Sequence, residues 1–269
     1  MQKTVNIAAL QIASLSFDKA KLDYYLTIAK TKKCKVFVLG EYVLNLFFKE
    51  LETTPLSLIK EQTRYQKKNL QQLANSYNMV IITPAIVVRN KKVKKIIYKF
   101  TPRSVTTYTQ QILINYKHWD EEKFFSNPIE SLKAPMTFSI DGIKIAVMAG
   151  FEIHFDYFWQ QCMSKKIDCV LVPTASTFGS QNRWRHLLST KAYQNSSYVL
   201  RINRTGTFHD KEHTWQFYGD SFLMQPNGEI ESHLGTKEEL MIAIIDKNIV
   251  KEHKKSWGFT NALTKRDMI

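Results

Sequence analysis

Four places along this chain put charged or donor groups where an α/β sheet gathers them: Glu41 after "VFVLG", Lys117 after "QILINY", the Glu121-Glu122 pair just beyond, and the turn Gly150-Phe151-Glu152 after "KIAVMA". Sites in open α/β sheets collect at the carboxyl ends of strands. A glutamate buried beside a lysine is a stable combination, because each ion offsets the other's desolvation. A strand-to-helix turn is also where many α/β enzymes mount a nucleophile, yet Gly150 has no side chain to offer. What remains there are backbone N–H groups of Gly150 and Phe151, able to hold an oxyanion or a carboxylate.

No thiol is placed at that turn. Cys162 follows the turn by twelve residues and Cys169 opens the next strand at its far end; Cys34 lies in a basic stretch, and none of the three has CxxC or Cys/His ligand spacing. All three read as buried apolar residues, and neither a disulfide nor a zinc site is expected. Glu152, His154 and Asp156 cluster at a helix start without a recognised ligand pattern, so no metal is expected there. His118 reads as a structural hydrogen-bonder, and Trp184, Tyr193 and Tyr198 as core or interface aromatics.

The elements that must position these groups alternate. "VNIAALQI" (5–12), a helical stretch over 17–32 and "KVFVLGE" (35–41) form a β-α-β opening, followed by a polar helix over 55–77 and the apolar run "MVIITPAIVV" (79–88). "KKIIYKF" and "SVTTYTQQILINY" read as antiparallel neighbours. Asp141-Gly142 between two apolar alternations predicts a type I′ hairpin, since that turn needs positive φ at both central residues. Helices around 157–166 and 182–197 then alternate with "CVLVPTA" and "YVLRINR", and a second hairpin turns at Pro226-Asn227-Gly228 before "ELMIAIID" (239–246). Strands apolar on both faces need covers on both sides, which predicts a four-layer α-β-β-α sandwich in one domain over 1–269.

Composition narrows the partners. The chain has 269 residues, 44% hydrophobic and 23% charged, enough for one large core. No apolar run reaches membrane-spanning length and the opening "MQKTVNIAALQIASLSF" enters a strand pattern directly, so a cytoplasmic protein without a membrane partner is expected. The net charge of +14 raises nucleic acid as a partner, but "KTKKCK", "RNKKVKK" and "KEHKK" are short and scattered with no nucleic-acid-binding motif, and they read as solvated faces.

In this order the motifs resemble the carbon-nitrogen hydrolases of the nitrilase superfamily, in the amidase and N-carbamoyl amidohydrolase branch. "VLGEYVL" resembles the family's Glu motif, "INYKHWDEEKFF" its Lys motif and second Glu segment, and "VLVPTAS", "RWRHLLSTKAYQNSSYVLRINRTG" and "YGDSFLMQPNGEI" its later strands and helix. The resemblance implies the α-β-β-α fold, hydrolysis of a small amide or N-carbamoyl compound without cofactor, and a homodimer or higher homo-oligomer in which about the last 20 residues pack on a partner subunit. It implies Glu41 as base, Lys117 as the charge facing an oxyanion, and Glu122 as the second site carboxylate, with Glu121 the alternative. Phe151, Glu152 and Thr174 would lie on the substrate side. The elbow departs from the family, which reads Cys where this chain has Gly150. The loss implies an impaired amidase or, as the alternative, an inactive member that binds a small molecule or another protein.

Overall fold

The computed structural model describes residues 3–15, 19–211 and 213–266. Two six-stranded sheets stack face to face. Across the first, the strands run in the order Glu239–Asp246, Thr4–Gln11, Val36–Leu39, Val80–Arg89, Lys92–Phe100, Val105–Thr109. Across the second they run Ile230–His233, Phe222–Met224, Tyr198–Ile202, Cys169–Pro173, Ile143–Val147, Met136–Ile140. Each sheet has three parallel strands at its centre and antiparallel strands at both margins.

Between the sheets lies one apolar layer in which Val5, Ile7, Val36, Val38 and Ile97 of the first sheet meet Ile145, Val147, Leu171, Leu200 and Leu223 of the second. The opposite face of the first sheet, Ala8, Leu10, Phe37, Leu39 and Ile81, is covered by Leu22 and Leu26 of helix Lys19–Thr31 and Leu70 and Ala74 of helix Leu56–Tyr77. Helix Leu56–Tyr77 buries Ile59, Thr63, Gln66, Leu70 and Ala74, a stripe at three- and four-residue spacing, which is why so polar a segment packs here. Helices Asp156–Ser164 and Gln181–Asn195 cover the outer face of the second sheet through Phe158, Trp159, Cys162, Leu188 and Ala192. The expected α-β-β-α sandwich is the observed one.

Asp141 and Gly142 have φ of 47° and 80°, the two positive values expected, and they join Ile140 to Ile143. The helix expected over 17–32 begins at Lys19 in the structure, with residues 17 and 18 outside the described ones. The expected strand through Tyr116 ends instead at Thr109. The hairpin Thr205–His209 with Thr214–Tyr218, which pairs outside both sheets, was not expected from the sequence.

Candidate functional site

Glu41 stands just past the end of strand Val36–Leu39, where Gly40 lets two chain segments approach. A Cβ on Gly40 would lie 3.1 Å from the Thr174 carbonyl and 3.3 Å from the Arg204 amide nitrogen, and the Glu41 N–H donates to that same Thr174 carbonyl at 3.1 Å. The Glu41 side chain is thereby aimed inward, 5% exposed. Its Oε2 lies 3.3 Å from Nζ of Lys95, and its Oε1 accepts the Gly150 N–H at 3.3 Å. Lys95 Nζ in turn donates to Glu121 Oε1 at 2.7 Å, and Glu121 is fully buried. The Tyr42 hydroxyl and the Trp119 indole also donate to Glu121 Oε1, and the Ile114 N–H to its Oε2.

The buried cation is therefore Lys95, not Lys117. Lys117 sits with His118 in the turn joining Asn115–Tyr116 to Trp119–Asp120, and both are exposed. In strand Lys92–Phe100, side chains alternate between faces, so Lys95 shares its face with Val93 and Ile97 while Lys94 is directed outward. Asn127 fixes the backbone of Lys95 from both sides, its Oδ1 accepting the Lys95 N–H at 2.9 Å and its Nδ2 donating to the carbonyl at 2.8 Å. The signal was in the sequence, as a lysine in phase with apolar neighbours, hidden inside a basic run that reads as a solvated face.

The second carboxylate is Glu121, not Glu122. A short helix, Glu121–Phe124, starts at that point, capped by the Asp120 side chain accepting the Lys123 N–H at 3.0 Å. One helical step of about 100° turns Glu122 to solvent while the Glu121 N–H is tied to the Ile114 carbonyl. Burial raises the Glu41 carboxyl above its ordinary range and the nearby Glu121 adds to this, against the opposing pull of Lys95. Burial alone would lower the Lys95 ammonium, but Glu121 and Glu41 outweigh it and hold it up.

Gly150 lies where the central strand Ile143–Val147 leads into a short 3₁₀ turn, Gly150–His154. Its φ is not in the left-handed region, so the need for glycine is one of space. A Cβ would stand 3.0 Å from both the Pro173 carbonyl oxygen and Thr174 Cγ2. Thr174 is accordingly a buried neighbour of the turn, its hydroxyl donating to Asn203 Oδ1 at 3.0 Å. Glu152 faces inward as well, accepting from the Tyr108 hydroxyl at 2.9 Å, the Gln111 N–H at 2.6 Å and the Ala149 N–H at 3.2 Å. It clamps the 108–111 segment to the turn rather than meeting solvent. Burial pushes its carboxyl up to about 7.

A cavity of about 920 Å³ opens beside this cluster, with Trp119, Phe151, Ser176, Phe178, Arg183 and Trp184 among its walls. Of the expected substrate-side residues, only Phe151 lines it; Glu152 and Thr174 do not. Glu41, Lys95 and Glu121 do not line it either; Trp119 and Ile114 are the shared wall, lining the cavity while donating to Glu121. None of the three cysteines reaches the cavity, and burial pushes the thiols of Cys34 and Cys162 up to about 11 and about 12. Among the described residues no group of three or more His, Cys, Asp or Glu could hold a metal ion, and no helix is long and apolar enough to cross a membrane.

A buried Glu–Lys–Glu cluster thus stands next to a strand-to-helix turn in a double-sheet sandwich, and comparison with known proteins gives its family. The chain belongs to the carbon-nitrogen hydrolase family, whose sequence model matches residues 4–255. It is 24% identical to a 2-oxoglutaramate amidase of Bacillus subtilis over 260 residues, covering 91% of this chain and 94% of that one. A deaminated glutathione amidase of Synechocystis sp. is 27% identical over 103 residues, so this chain matches only 37% of that relative's length. In fold it is similar to a carbon-nitrogen hydrolase of Helicobacter pylori G27, with a TM-score of 0.84 at 20% identity over 96% of this chain and 94% of the other.

Proposed function

We propose that this chain binds a small amide or carboxylate in the cavity beside Trp119 and Phe151 and does not hydrolyse an amide there through a covalent acyl-enzyme. The single observation that carries this reading is Gly150: its N–H meets the carboxylate of Glu41, so the carboxylate, the lysine and the backbone donor stand together with no side chain between them to attack. Covalent acyl transfer needs a nucleophile next to its base. In enzymes whose nucleophile acts with such a base, losing it alone lowers turnover by about 10⁶. Glu41, Lys95 and Glu121 in this reading stand behind the Trp119 wall of the cavity without lining it, and Glu41 with Lys117 and Glu122 is set aside as a catalytic set because the latter two are exposed.

The test is ammonia release from a panel of ω-amides and N-carbamoyl compounds, with intact-protein mass read for an adduct. The chain as it stands should show neither turnover nor adduct. Gly150→Cys should gain a slow acylation, and the double variant Gly150→Cys/Thr174→Ser should gain more, because it removes the methyl that would stand 3.0 Å from the new Cβ. Ammonia release by the unaltered chain at enzyme-like rates would sink the reading. A homodimer in which the C-terminal tail packs on a partner, and a cytoplasmic setting, are proposed on the family resemblance; sizing chromatography checks the first.

A further inference from the structure

The cavity has a chemical bias of its own. Among its described lining residues there is no Asp or Glu, whereas Arg183, His118, His154 and His213 all face it. Arg183 is exposed and makes no ion pair among the described residues. It belongs to the first turn of helix Gln181–Asn195, a 15-residue helix with no acidic residue in that turn and no side-chain cap from Ser180, whose hydroxyl donates to the Thr177 carbonyl instead. A guanidinium beside an uncapped helix start favours an anion. Independently, Ser176 lines the cavity, is 5% exposed, and leaves its hydroxyl without a hydrogen-bond partner among the described residues, which asks for a polar group from outside the chain.

Much of the remaining wall is aromatic. His118 stacks against Tyr116 at 5.9 Å and 30° and meets Phe178 edge-on, while His154 bridges Phe151 at 5.4 Å and Trp184 at 5.5 Å. Tyr116 also meets Phe151 edge-on at 5.9 Å, so these rings form one aromatic belt along the cavity, and such a belt suits a planar ligand, since aromatic groups gain from offset or edge-on contact beyond the area they bury.

We propose that the ligand is an aromatic carboxylate: its ring lies against the belt that runs from Phe178 and His118 through Tyr116 to Phe151 and Trp184, its carboxylate pairs with Arg183, and a second polar substituent meets the Ser176 hydroxyl. The inference rests on the reading of this cavity as a ligand site and sharpens it to a ligand class.

Calorimetric titration with four probes tests it: 4-hydroxyphenylacetate, its uncharged amide 4-hydroxyphenylacetamide, the saturated analogue cyclohexylacetate, and succinamate as an aliphatic ω-amide acid. The aromatic acid should bind at least about tenfold more tightly than each of the other three. Arg183→Ala, a change at an exposed side chain, should lose about tenfold for the aromatic acid and little for its amide, and Ser176→Ala should weaken 4-hydroxyphenylacetate more than phenylacetate. Equal affinity for the acid and its amide, or an Arg183→Ala variant that binds the acid undiminished, would overturn the anion assignment while leaving a ligand site in place. Succinamate binding more tightly than the aromatic acid would overturn the aromatic assignment alone. Binding of none of the four would overturn the inference and count against the cavity as a small-amide site as well.

Discussion

At the scale of single residues, the cluster around Lys95 makes the sharpest distinction. Two carboxylates, Glu41 and Glu121, share one ammonium in a pocket where the lysine side chain is 3% exposed. Removing one partner of a buried ion set leaves uncompensated charge, so Lys95→Met should destabilise the fold by about 3–5 kcal/mol in urea titrations. Lys117→Met, at an exposed turn, should stay within about 0.5 kcal/mol. Equal effects would mean that the ammonium at Lys95 is not the one balancing the pair. Glu152 gives a second test. Its carboxyl is pushed from an ordinary 4.5 to about 7 by burial, so the folded state holds the proton more tightly than the unfolded one. That contribution is fully present below about pH 4.5 and is lost as pH rises through 7; at about 1.4 kcal/mol per pKa unit it amounts to about 3 kcal/mol. Melting curves of the wild type and Glu152→Gln between pH 4 and pH 8 should therefore converge or cross in the variant's favour as pH rises, and a difference that stays constant with pH would remove Glu152 as the titrating group.

At the scale of elements, the turn at Gly150 and the strand end at Gly40 are two halves of one close approach, both pressed against the 173–174 backbone. Gly40 is enclosed by backbone on both sides, the Thr174 carbonyl at 3.1 Å and the Arg204 amide at 3.3 Å, so Gly40→Ala should cost about 1–3 kcal/mol and tilt Glu41 away from Lys95. Chemical denaturation reads the first effect. A Gly40→Ala variant as stable as the parent would show that the two sheets have slack at their contact. The same elements show what was legible in the sequence. Period-two alternation, the Asp141-Gly142 pair and the motif order around Gly150 carried the sandwich and the elbow, because local patterns encode strands and turns. Lys95 was hidden because charge dominated the reading of "KKVKKIIYKF", although Val93 and Ile97 flank it in phase. Glu121 and Glu122 could not be separated because the choice turns on where a four-residue helix begins, which only the packing of Ile114 and Trp119 decides. The inward turn of Glu152 depends on Tyr108 and Gln111, some forty residues away in the chain, and no local pattern announces such a clamp.

At the scale of the whole molecule, the question is whether two sheets make one folding unit or two. A chain of 269 residues exceeds the size at which all-or-none unfolding is routine. Yet the halves are not separable by contact: the inter-sheet layer draws Val5, Val38 and Ala243 from one sheet and Val147, Leu171 and Leu223 from the other, and the last strand pairs with the first along eight residues, from Thr4↔Asp246 to Gln11↔Glu239. Splitting the sheets would expose both inner faces at once, with no intermediate that keeps either one dry. The tryptophans supply a built-in probe of this, since all five lie at residue 119 or later and none belongs to a strand of the first sheet. Trp159 and Trp184 lie in the layer over the second sheet, and Trp119 and Trp215 pack on Phe47 and Phe48 where the two halves meet, so tryptophan fluorescence weights the second sheet and that junction, while far-ultraviolet circular dichroism follows both sheets. In urea the two signals should trace one coincident transition, with a slope large enough to match exposure of both sheets. A fluorescence midpoint displaced from the dichroism midpoint would mean that the second sheet and its helices unfold on their own, and that the shared apolar layer binds the halves together less firmly than its composition implies.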